Sequence, residues 1–257
     1  MALRRVPLFP LGQVLFPNMA LSLNIFEPRY RAMVNRCIDQ DIPFGVVLIR
    51  EGREVGGPVV PFEIGTMARI TEVEKSPDGR LNILTVGVNR FRLRGIGHGE
   101  PYPTGEIEFL DEPTADAARE ERLARRVTAL FSRYLELFAD LSVETESEDE
   151  EEDEEEDEEQ DEEDEEEGSG AEGNQPAHLL TDRPELPKHP GALAYAVAAV
   201  AGWRQRDKQA LLELASAAER LRVEARYLRR DIASMLGLRQ RREAGGRPPF
   251  IGPCSAN

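Results

Sequence analysis

The sequence is poor in the residues from which metal and redox centres are built. It contains two cysteines, three histidines, three lysines and one tryptophan in 257 residues. Neither Cys37 nor Cys254 has the spacing of a disulfide framework or a metal knuckle, so two unpaired thiols in a reducing cytosol are expected. His98, His178 and His189 do not pair with Cys, His or carboxylates at a zinc-ligand spacing. The sequence therefore predicts no metal site.

The motifs of nucleotide and acyl-transfer enzymes are also absent. A Walker-type phosphate loop needs Gly followed by Lys, whereas the three lysines follow Glu, Pro and Asp. The glycine-rich stretch 95–99 is not followed by a helical pattern, so it is expected to be a loop between strands. No serine stands in a G-x-S-x-G motif. These absences predict a protein that is not an enzyme and has no cofactor.

Long apolar runs are missing as well. Pro7, Pro10 and Pro17 interrupt the apolar N-terminal stretch, and no small-residue cleavage site follows it. No segment approaches the ~18 uninterrupted apolar residues of a membrane span. We therefore expect a soluble, cytoplasmic protein without a membrane partner.

The net charge of −17 comes from one segment. Residues 144–167 contain 21 Asp or Glu and no Lys or Arg, and the rest of the chain has 28 acids and 32 bases. Like charges at this density repel each other and cannot be buried. The sequence therefore predicts a folded, mildly basic protein interrupted by an acidic, disordered linker at 144–188.

Residues 5–112 have the pattern of a β-rich domain with one helix. The helix opens at Glu27-Pro28 and ends near 39–42, because Pro fits the first helical position. A hairpin of 66–75 and 81–96 is expected around the turn at 76–79, which has Pro and Gly where a turn needs them. Further strands are expected at Val6–Phe9, Met19–Ile25, Pro43–Arg50 and Thr104–Leu110. The apolar stripe of the helix comprises Tyr30, Met33, Val34, Cys37 and Ile38.

Beyond residue 113 the apolar spacing becomes helical. A first helix is predicted at 114–143 with Thr114 as its N-cap, and the remaining helices at 189–237. The latter are a short Ala-rich helix at 191–201 and a continuous helix at 206–236, and a flexible tail follows at 238–257. The apolar seams can pack within the chain as a bundle or between two chains as a coiled coil, so the oligomeric state stays open.

Two surfaces could bind a partner. Arg90, Arg92 and Arg94 alternate with apolar residues on one strand and form a candidate anion-binding face, although no aromatic stacking set accompanies them. An apolar surface near the N-terminus, with Phe9 and Phe16 among three prolines, could line a groove for an extended polypeptide.

Three motifs in order resemble the substrate-binding (N-terminal) domain of the Lon protease family. They are Pro7-Leu8-Phe9-Pro10-Leu11-Gly12, then Val14-Leu15-Phe16-Pro17-Asn18-Met19, then Phe26-Glu27-Pro28-Arg29-Tyr30. Gly65-Thr66-Met67-Ala68-Arg69-Ile70 and Val86-Gly87-Val88-Asn89-Arg90-Phe91 fit the later part of the pattern. The resemblance extends over about 5–111 and is weaker over the helices.

The resemblance implies an α+β fold. It consists of a PUA-like, β-barrel-like N-terminal domain of about six strands with one helix, followed by a small α-helical bundle, which the acidic linker interrupts here. It also implies recognition of unfolded or damaged polypeptides, or of a partner protease, by a non-catalytic module. The ATPase and Ser–Lys peptidase motifs of a full Lon protease do not occur in this sequence. The alternative is a PUA-like RNA-binding or regulatory protein that uses its arginine-rich faces.

The candidate polypeptide-binding residues lie in these motifs: Phe9, Pro10, Phe16, Pro17, Phe26, Glu27, Arg29 and Tyr30. For the last motif a structural role, which fixes the helix against the barrel, is favoured over direct contact with a ligand. Glu27 stands at a helix N-terminus, where it can accept hydrogen bonds from free backbone N–H groups, and Arg29 or Arg31 can pair with it.

Overall fold

The computed structural model describes residues 3–53, 59–77, 79–97, 101–113, 116–152 and 186–243; for 142–152 and 242–243 it describes the backbone alone. The strands are β1 (Arg4–Leu11), β2 (Ala20–Ile25), β3 (Phe44–Glu51), β4 (Val60–Pro61), β5 (Ile64–Lys75), β6 (Leu81–Gly97) and β7 (Thr104–Phe109). The helices are α1 (Pro28–Gln40), α2 (Ala117–Glu152), α3 (Pro190–Val200), α4 (Gln205–Glu213) and α5 (Ala217–Glu243). The predicted α+β class is confirmed.

Five strands close into a barrel. Their order is β1-β7-β6-β5-β3, and a parallel pairing of β1 with β3, from Leu8↔Gly45 to Leu11↔Leu48, completes the ring. β6 is 17 residues long and therefore reaches beyond the barrel. Its first half pairs with β2, and β4 adds a two-residue pairing to β3. The described part of the chain thus has seven strands instead of about six.

The predicted hairpin of β5 and β6 is present. Ser76 N–H donates to the Arg80 carbonyl at 3.0 Å, and Gly79 N–H donates to the Ser76 carbonyl at 2.9 Å. Gly79 has a φ of +82°, which the glycine permits without strain; Asp78 lies outside the described residues. The expectation of a loop at 95–99 was wrong for 95–97, because β6 continues to Gly97 and pairs there with Thr104 of β7.

Helix α1 covers the sheet where β6 leaves the barrel. It begins at Pro28 and ends at Gln40, and the C-cap residue Asp41 adopts the left-handed conformation with φ 49°. Tyr30, Met33, Val34 and Cys37 are buried in one apolar cluster with residues of β1, β2 and β6. The prediction failed for Ile38, which is 37 % exposed. At 100° per residue Ile38 lies at the rim of the stripe, away from the sheet.

Four helices, instead of three, follow the barrel in the described residues. The predicted helix 206–236 is divided into α4 and α5 at residues 214–216. The break is a capping box: Glu219 N–H donates to Ser216 Oγ at 3.3 Å, and Ser216 N–H donates to Glu219 Oε2 at 3.2 Å. Periodicity alone missed this start signal, since Leu214 and Ala218 continue the apolar spacing across it.

Both long helices extend beyond their predicted C-terminal ends. α2 starts at Ala117, with Asp116 Oδ1 accepting from Arg119 N–H at 2.9 Å, and continues to Glu152, inside the segment expected to be a linker. α5 continues to Glu243, inside the expected tail. The predicted cap Thr114 and residues 153–185 lie outside the described part of the chain. None of the described helices is long and apolar enough to cross a membrane.

The helices α2 and α5 run parallel to each other. Near their starts Glu112 pairs with Arg220, and near their ends Asp140 Oδ2 lies 3.5 Å from Arg239 Nη1. Their apolar seams are buried in one core with α3, α4 and the outside of the barrel, where Phe16 and Ile64 belong to the same cluster. The seams are thus used within the chain, and the oligomeric state stays open.

Candidate functional site

Arg90 joins the barrel to the helices. It lies on β6, is 4 % exposed, and points away from the barrel interior, where its neighbour Phe91 is buried. Its guanidinium donates to the carbonyl oxygens of Leu212 at 2.7 Å, Leu214 at 2.6 Å and Ala215 at 3.3 Å. These are carbonyls at the end of α4, which the helix itself leaves without donors. Arg90 therefore fixes the α4–α5 corner on the barrel.

A second arginine completes this junction. Arg220 of α5 is fully buried, pairs with Glu112, donates to the Leu214 carbonyl at 2.8 Å and lies 4.4 Å from the ring centroid of Tyr195. Burial, together with the charge of Arg90, lowers the pKa of Arg220 to about 9. Tyr195 donates its hydroxyl to Glu112 Oε2 at 2.8 Å, and burial raises the pKa of Tyr195 to about 12.

Glu224 is the other buried charge of the junction. It lies one turn after Arg220 on α5, and neither carboxylate oxygen has a hydrogen-bond partner among the described residues. Burial raises its pKa well above the ordinary value, and Arg220 offsets part of that rise. The carboxyl of Glu224 therefore keeps its proton to a higher pH in the folded protein than an exposed glutamate does.

Two amide side chains tie α4 to the barrel domain. Gln209 donates to the Ile64 carbonyl at 3.0 Å, and Gln205 Oε1 accepts from Val14 N–H at 2.9 Å. These contacts and the two arginines place the helices directly on the barrel. The junction is built from internal contacts and leaves little polar surface for a ligand.

The predicted anion-binding face is divided by this arrangement. Arg90 shares the side of β6 that faces away from the barrel interior, as expected, but the helices cover it, so it is not part of an exposed face. Arg94 pairs with Glu108 Oε2 at 2.6 Å, and its hydrogen bond holds the pKa of Glu108 below the ordinary value. Arg92 is half-buried. The three side chains are therefore not presented together.

Five of the eight predicted polypeptide-binding residues are buried: Phe9, Pro10, Phe16, Pro17 and Tyr30. Phe9 and Tyr30 have ring centroids 4.4 Å apart in the core between the sheet and α1. Phe16 packs against the helical core, 6.0 Å from the Tyr195 ring. In this structure these side chains serve the packing of the barrel, so that among the eight predicted residues only the remaining three are left to contact a polypeptide.

The remaining three residues form the corner between β2 and α1. Phe26 is 37 % exposed. Glu27 and Arg29 are paired, with Glu27 Oε2 at 2.8 Å from Arg29 Nη2, and the Arg29 guanidinium lies 4.6 Å from the ring centroid of Tyr30. The side chain of Glu27 makes no capping bond to the helix, contrary to expectation. The corner thus has a fixed polar part and one exposed aromatic ring.

No group of three or more His, Cys, Asp or Glu side chains in the described residues could hold a metal ion. Cys37 is free and buried on the side of α1 that packs on the sheet, and burial raises its pKa to about 11. A thiol with this pKa is a poor nucleophile at neutral pH because its thiolate form is scarce.

Two solved structures share this fold. The Lon N-terminal domain protein from Xanthomonas campestris superposes with a TM-score of 0.54 at 21 % identity, covering 85 % of this chain and 95 % of that one. The N terminal domain of Mycobacterium avium complex Lon protease superposes with a TM-score of 0.52 at 16 % identity, covering 88 % and 98 %. The fold is therefore that of Lon N-terminal domains.

The sequence comparison is more specific. The family model described as the ATP-dependent protease La (LON) substrate-binding domain matches residues 5–230. The chain belongs to this family, as the N-terminal motifs indicated.

Curated relatives are Lon proteases. That of Escherichia coli (strain K12) is 27 % identical over 134 residues, which are 51 % of this chain and 17 % of the relative. That of Brevibacillus choshinensis is 25 % identical over 224 residues, which are 86 % of this chain and 24 % of the relative. The chain thus spans a quarter or less of the length of these two relatives.

Proposed function

We propose that the chain is a substrate-recognition module that binds unfolded or damaged polypeptide segments. The observation that carries the proposal is the family match, because it covers the barrel, α1 and most of the helical part instead of one motif. The same match supports a non-catalytic role for these residues. Binding of a segment needs exposed apolar groups held in place by a rigid frame.

The corner between β2 and α1 fits this need. Phe26 stands at the end of a paired strand and at the start of a helix that is packed on the sheet, so its backbone is held on both sides. The Glu27–Arg29 pair and the stacking of Arg29 on Tyr30 add further restraint. An aromatic ring presented in this way loses little side-chain entropy on binding an apolar residue.

The proposal is tested with a client that cannot fold. Reduced, carboxymethylated α-lactalbumin, labelled with fluorescein, is titrated with the purified chain at physiological salt without ATP, and native α-lactalbumin serves as the folded control. Saturable binding of the unfolded form and none of the native form is expected. If both forms bind equally or neither binds, the proposal fails.

Phe26→Ala should weaken binding of the unfolded client by roughly threefold to tenfold, because truncating one exposed aromatic contact costs about 1 kcal/mol. Ile96→Ala is the matched control, since Ile96 is a similarly exposed apolar residue at the other end of β6. Fluorescence anisotropy gives both dissociation constants. Equal effects of the two substitutions would remove Phe26 from the binding surface.

Presentation of the bound client to a protease is the finer part of the proposal. Lon proteases are the relatives that share these residues, and the chain spans a quarter or less of the two described above. Immobilised chain incubated with native cell extract, with and without ATP, should retain an ATP-dependent protease in the presence of client. Loss of that retention with a Phe26→Ala chain would link client binding to the partner.

A further inference from the structure

One edge of the sheet beyond the barrel is open. β2 pairs with β6 alone, in the register Ala20↔Val86 to Ile25↔Leu81. Two hydrogen bonds show toward which neighbouring strand the backbone groups of β6 point. Gly87 N–H donates to the Met19 carbonyl, on the side of β2, and the Leu84 carbonyl accepts from Thr71 Oγ1, on the side of β5. Because bonded and non-bonded pairs alternate in an antiparallel ladder, Leu21, Leu23 and Ile25 bond to β6.

The backbone N–H and C=O groups of Ala20, Ser22 and Asn24 consequently point away from β6. No strand of the described chain pairs with this side, and all three residues are exposed. The alternating side chains Leu21, Leu23 and Ile25 are buried beneath, in the cluster with α1. As far as the described residues go, the edge is therefore a row of six unpaired backbone groups on a strand about 20 Å long.

The opposite edge carries charged side chains, which hinder the addition of another strand. Beyond Ala68, β5 also pairs only with β6, but its exposed part carries Arg69, Glu72, Glu74 and Lys75. Charges along an edge are the usual protection against pairing with another chain. The six residues of β2 include no charge and no proline, and their register with β6 has no bulge. Of these two edges, β2 is the one without protection.

The occupant follows from charge and from the proposed function. A second copy of the chain would bring one net charge of −17 against another, which opposes self-pairing. An extended segment that is uncharged or basic meets no such repulsion, and the uncharged edge does not select against apolar side chains. Phe26 follows directly after the edge and can contact the end of such a segment.

We propose that the outer edge of β2, Ala20–Ile25, binds an extended, uncharged or basic segment of an unfolded polypeptide by adding it to the sheet as a further strand. This assignment rests on the proposed function and names the place of client binding and its chemistry. Main-chain hydrogen bonds supply affinity that does not depend on the client sequence. Such a site suits a module that has to recognise many different damaged chains.

The test removes the outward donor of the edge and leaves the β2–β6 ladder in place. Ser22→Pro does this, since the Ser22 N–H is not used by β6 and proline is tolerated at that kind of edge position. Ser22→Lys is the second variant, which adds a protective charge without fixing φ. Val73→Pro is the matched control on β5. The backbone groups of Glu72 and Glu74 point toward β6, so the Val73 N–H, like that of Ser22, points away from β6. Circular dichroism and thermal unfolding verify that each variant is folded.

The probe is a fluorescein-labelled dodecapeptide of alternating Val and Thr with a Lys at each end, together with the same peptide N-methylated at every residue. Ser22→Pro and Ser22→Lys should each bind the plain peptide about tenfold more weakly than the parent chain, and Val73→Pro should bind it unchanged. The N-methylated peptide should also bind the parent chain about tenfold more weakly, because it has no N–H groups left to donate to the carbonyl oxygens of the edge.

The outcomes separate this assignment from the proposed function. If carboxymethylated α-lactalbumin binds the parent chain and both Ser22 variants equally, the edge is not the site although recognition stands. If the parent chain binds neither unfolded protein nor peptide, the proposed function fails and this assignment with it. If sedimentation equilibrium shows a dimer that Ser22→Pro abolishes while peptide binding is unchanged, the edge belongs to a second copy.

Discussion

Single residues carry the largest electrostatic demands at the junction of barrel and helices. Removing an ion from water costs several kcal/mol unless its hydrogen-bonding groups are satisfied. Arg90 meets that demand with three carbonyl oxygens. Arg220 meets it in part, through Glu112, one carbonyl and the Tyr195 ring, while its Nε has no hydrogen-bond partner among the described residues. Glu224 has no hydrogen bond to offset its burial and relies on the nearby charge of Arg220. The junction is therefore sensitive to loss of either arginine.

Arg90→Met should lower the free energy of unfolding by about 3 kcal/mol, because it leaves buried carbonyls at the end of α4 without a donor. Methionine keeps most of the aliphatic volume, so the effect reports the hydrogen bonds. Urea denaturation followed by circular dichroism measures the change. Arg94→Met is the control on the same strand, and its half-exposed pair with Glu108 should matter far less. Equal losses for the two variants would contradict the role of Arg90.

Glu224 predicts a dependence of stability on pH. Its pKa is higher in the folded chain than its ordinary value of 4.5, so folding takes up a proton above that pH. The contribution of Glu224 to stability therefore falls as the pH rises from about 4.5 to the folded-state pKa. Arg220 faces the carboxyl and offsets part of this loss.

Glu224→Gln removes the titration with little change of shape. The free energy of unfolding of the variant, relative to the parent chain, should increase as the pH rises above the ordinary pKa of 4.5. Urea denaturation at a series of pH values gives the difference. Glu121→Gln at an exposed position of α2 should show a constant difference. A constant difference for Glu224→Gln as well would mean that its carboxyl does not titrate abnormally.

At the scale of elements, Gly87 of β6 lets the segment before β2 pass close to the strand. Gly87 bonds on both sides of its peptide to the segment before β2: its N–H donates to the Met19 carbonyl at 2.9 Å, and its carbonyl accepts from Asn18 N–H at 2.8 Å. A Cβ at this position would lie 2.1 Å from the Phe16 backbone oxygen. No side chain larger than hydrogen fits there without moving the backbone.

Gly87→Ala should consequently destabilise the chain by about 3 kcal/mol, since the overlap is with backbone and cannot be relieved by a rotamer change. Gly95→Ala is a matched control in the same strand, because a Cβ there would meet only Glu106 Oε2 at 3.7 Å. Thermal unfolding of the two variants provides the comparison. Similar midpoints would show that the Phe16 segment can move away from β6 at little cost.

At the scale of the whole molecule, the distribution of charge is uneven. α2 leads into the acidic segment. α5 runs beside α2, with Arg239 of α5 next to Asp140 of α2. Residues 153–167 alone contain 14 of the 49 acids. A polypeptide client that carries negative charge is therefore opposed by the field of the intact chain.

Deletion of residues 153–167 changes the net charge from −17 to −3. Binding of an acidic unfolded client should become several-fold tighter, while binding of the basic Val–Thr peptide should weaken or stay unchanged. Both effects should shrink as salt is raised from about 50 mM to 500 mM, because salt screens charges beyond a Debye length. Affinities that are identical for the intact and deleted chains would make the segment a spacer with no influence on clients.

The sequence determined the elements that local chemistry fixes. Pro28 started α1, Pro77 and Gly79 made the hairpin turn, and the ordered N-terminal motifs pointed to the family that the comparisons confirm. The break before α5 was also determined by local sequence, the capping box of Ser216 and Glu219, although the continuous apolar spacing predicted an unbroken helix.

Only the tertiary structure decided which residues face a partner. Phe16 and Arg90 have the apolar or basic character expected of a binding surface, but the helices cover them, since a barrel this small buries one outer side against the bundle. The open edge of β2 had no signal in residue type. It arises because β6 is longer than the barrel and carries β2 beyond the closed ring, where no further strand of the described chain pairs with it. Long-range pairing of this kind is set by the whole topology and cannot be read from local spacing.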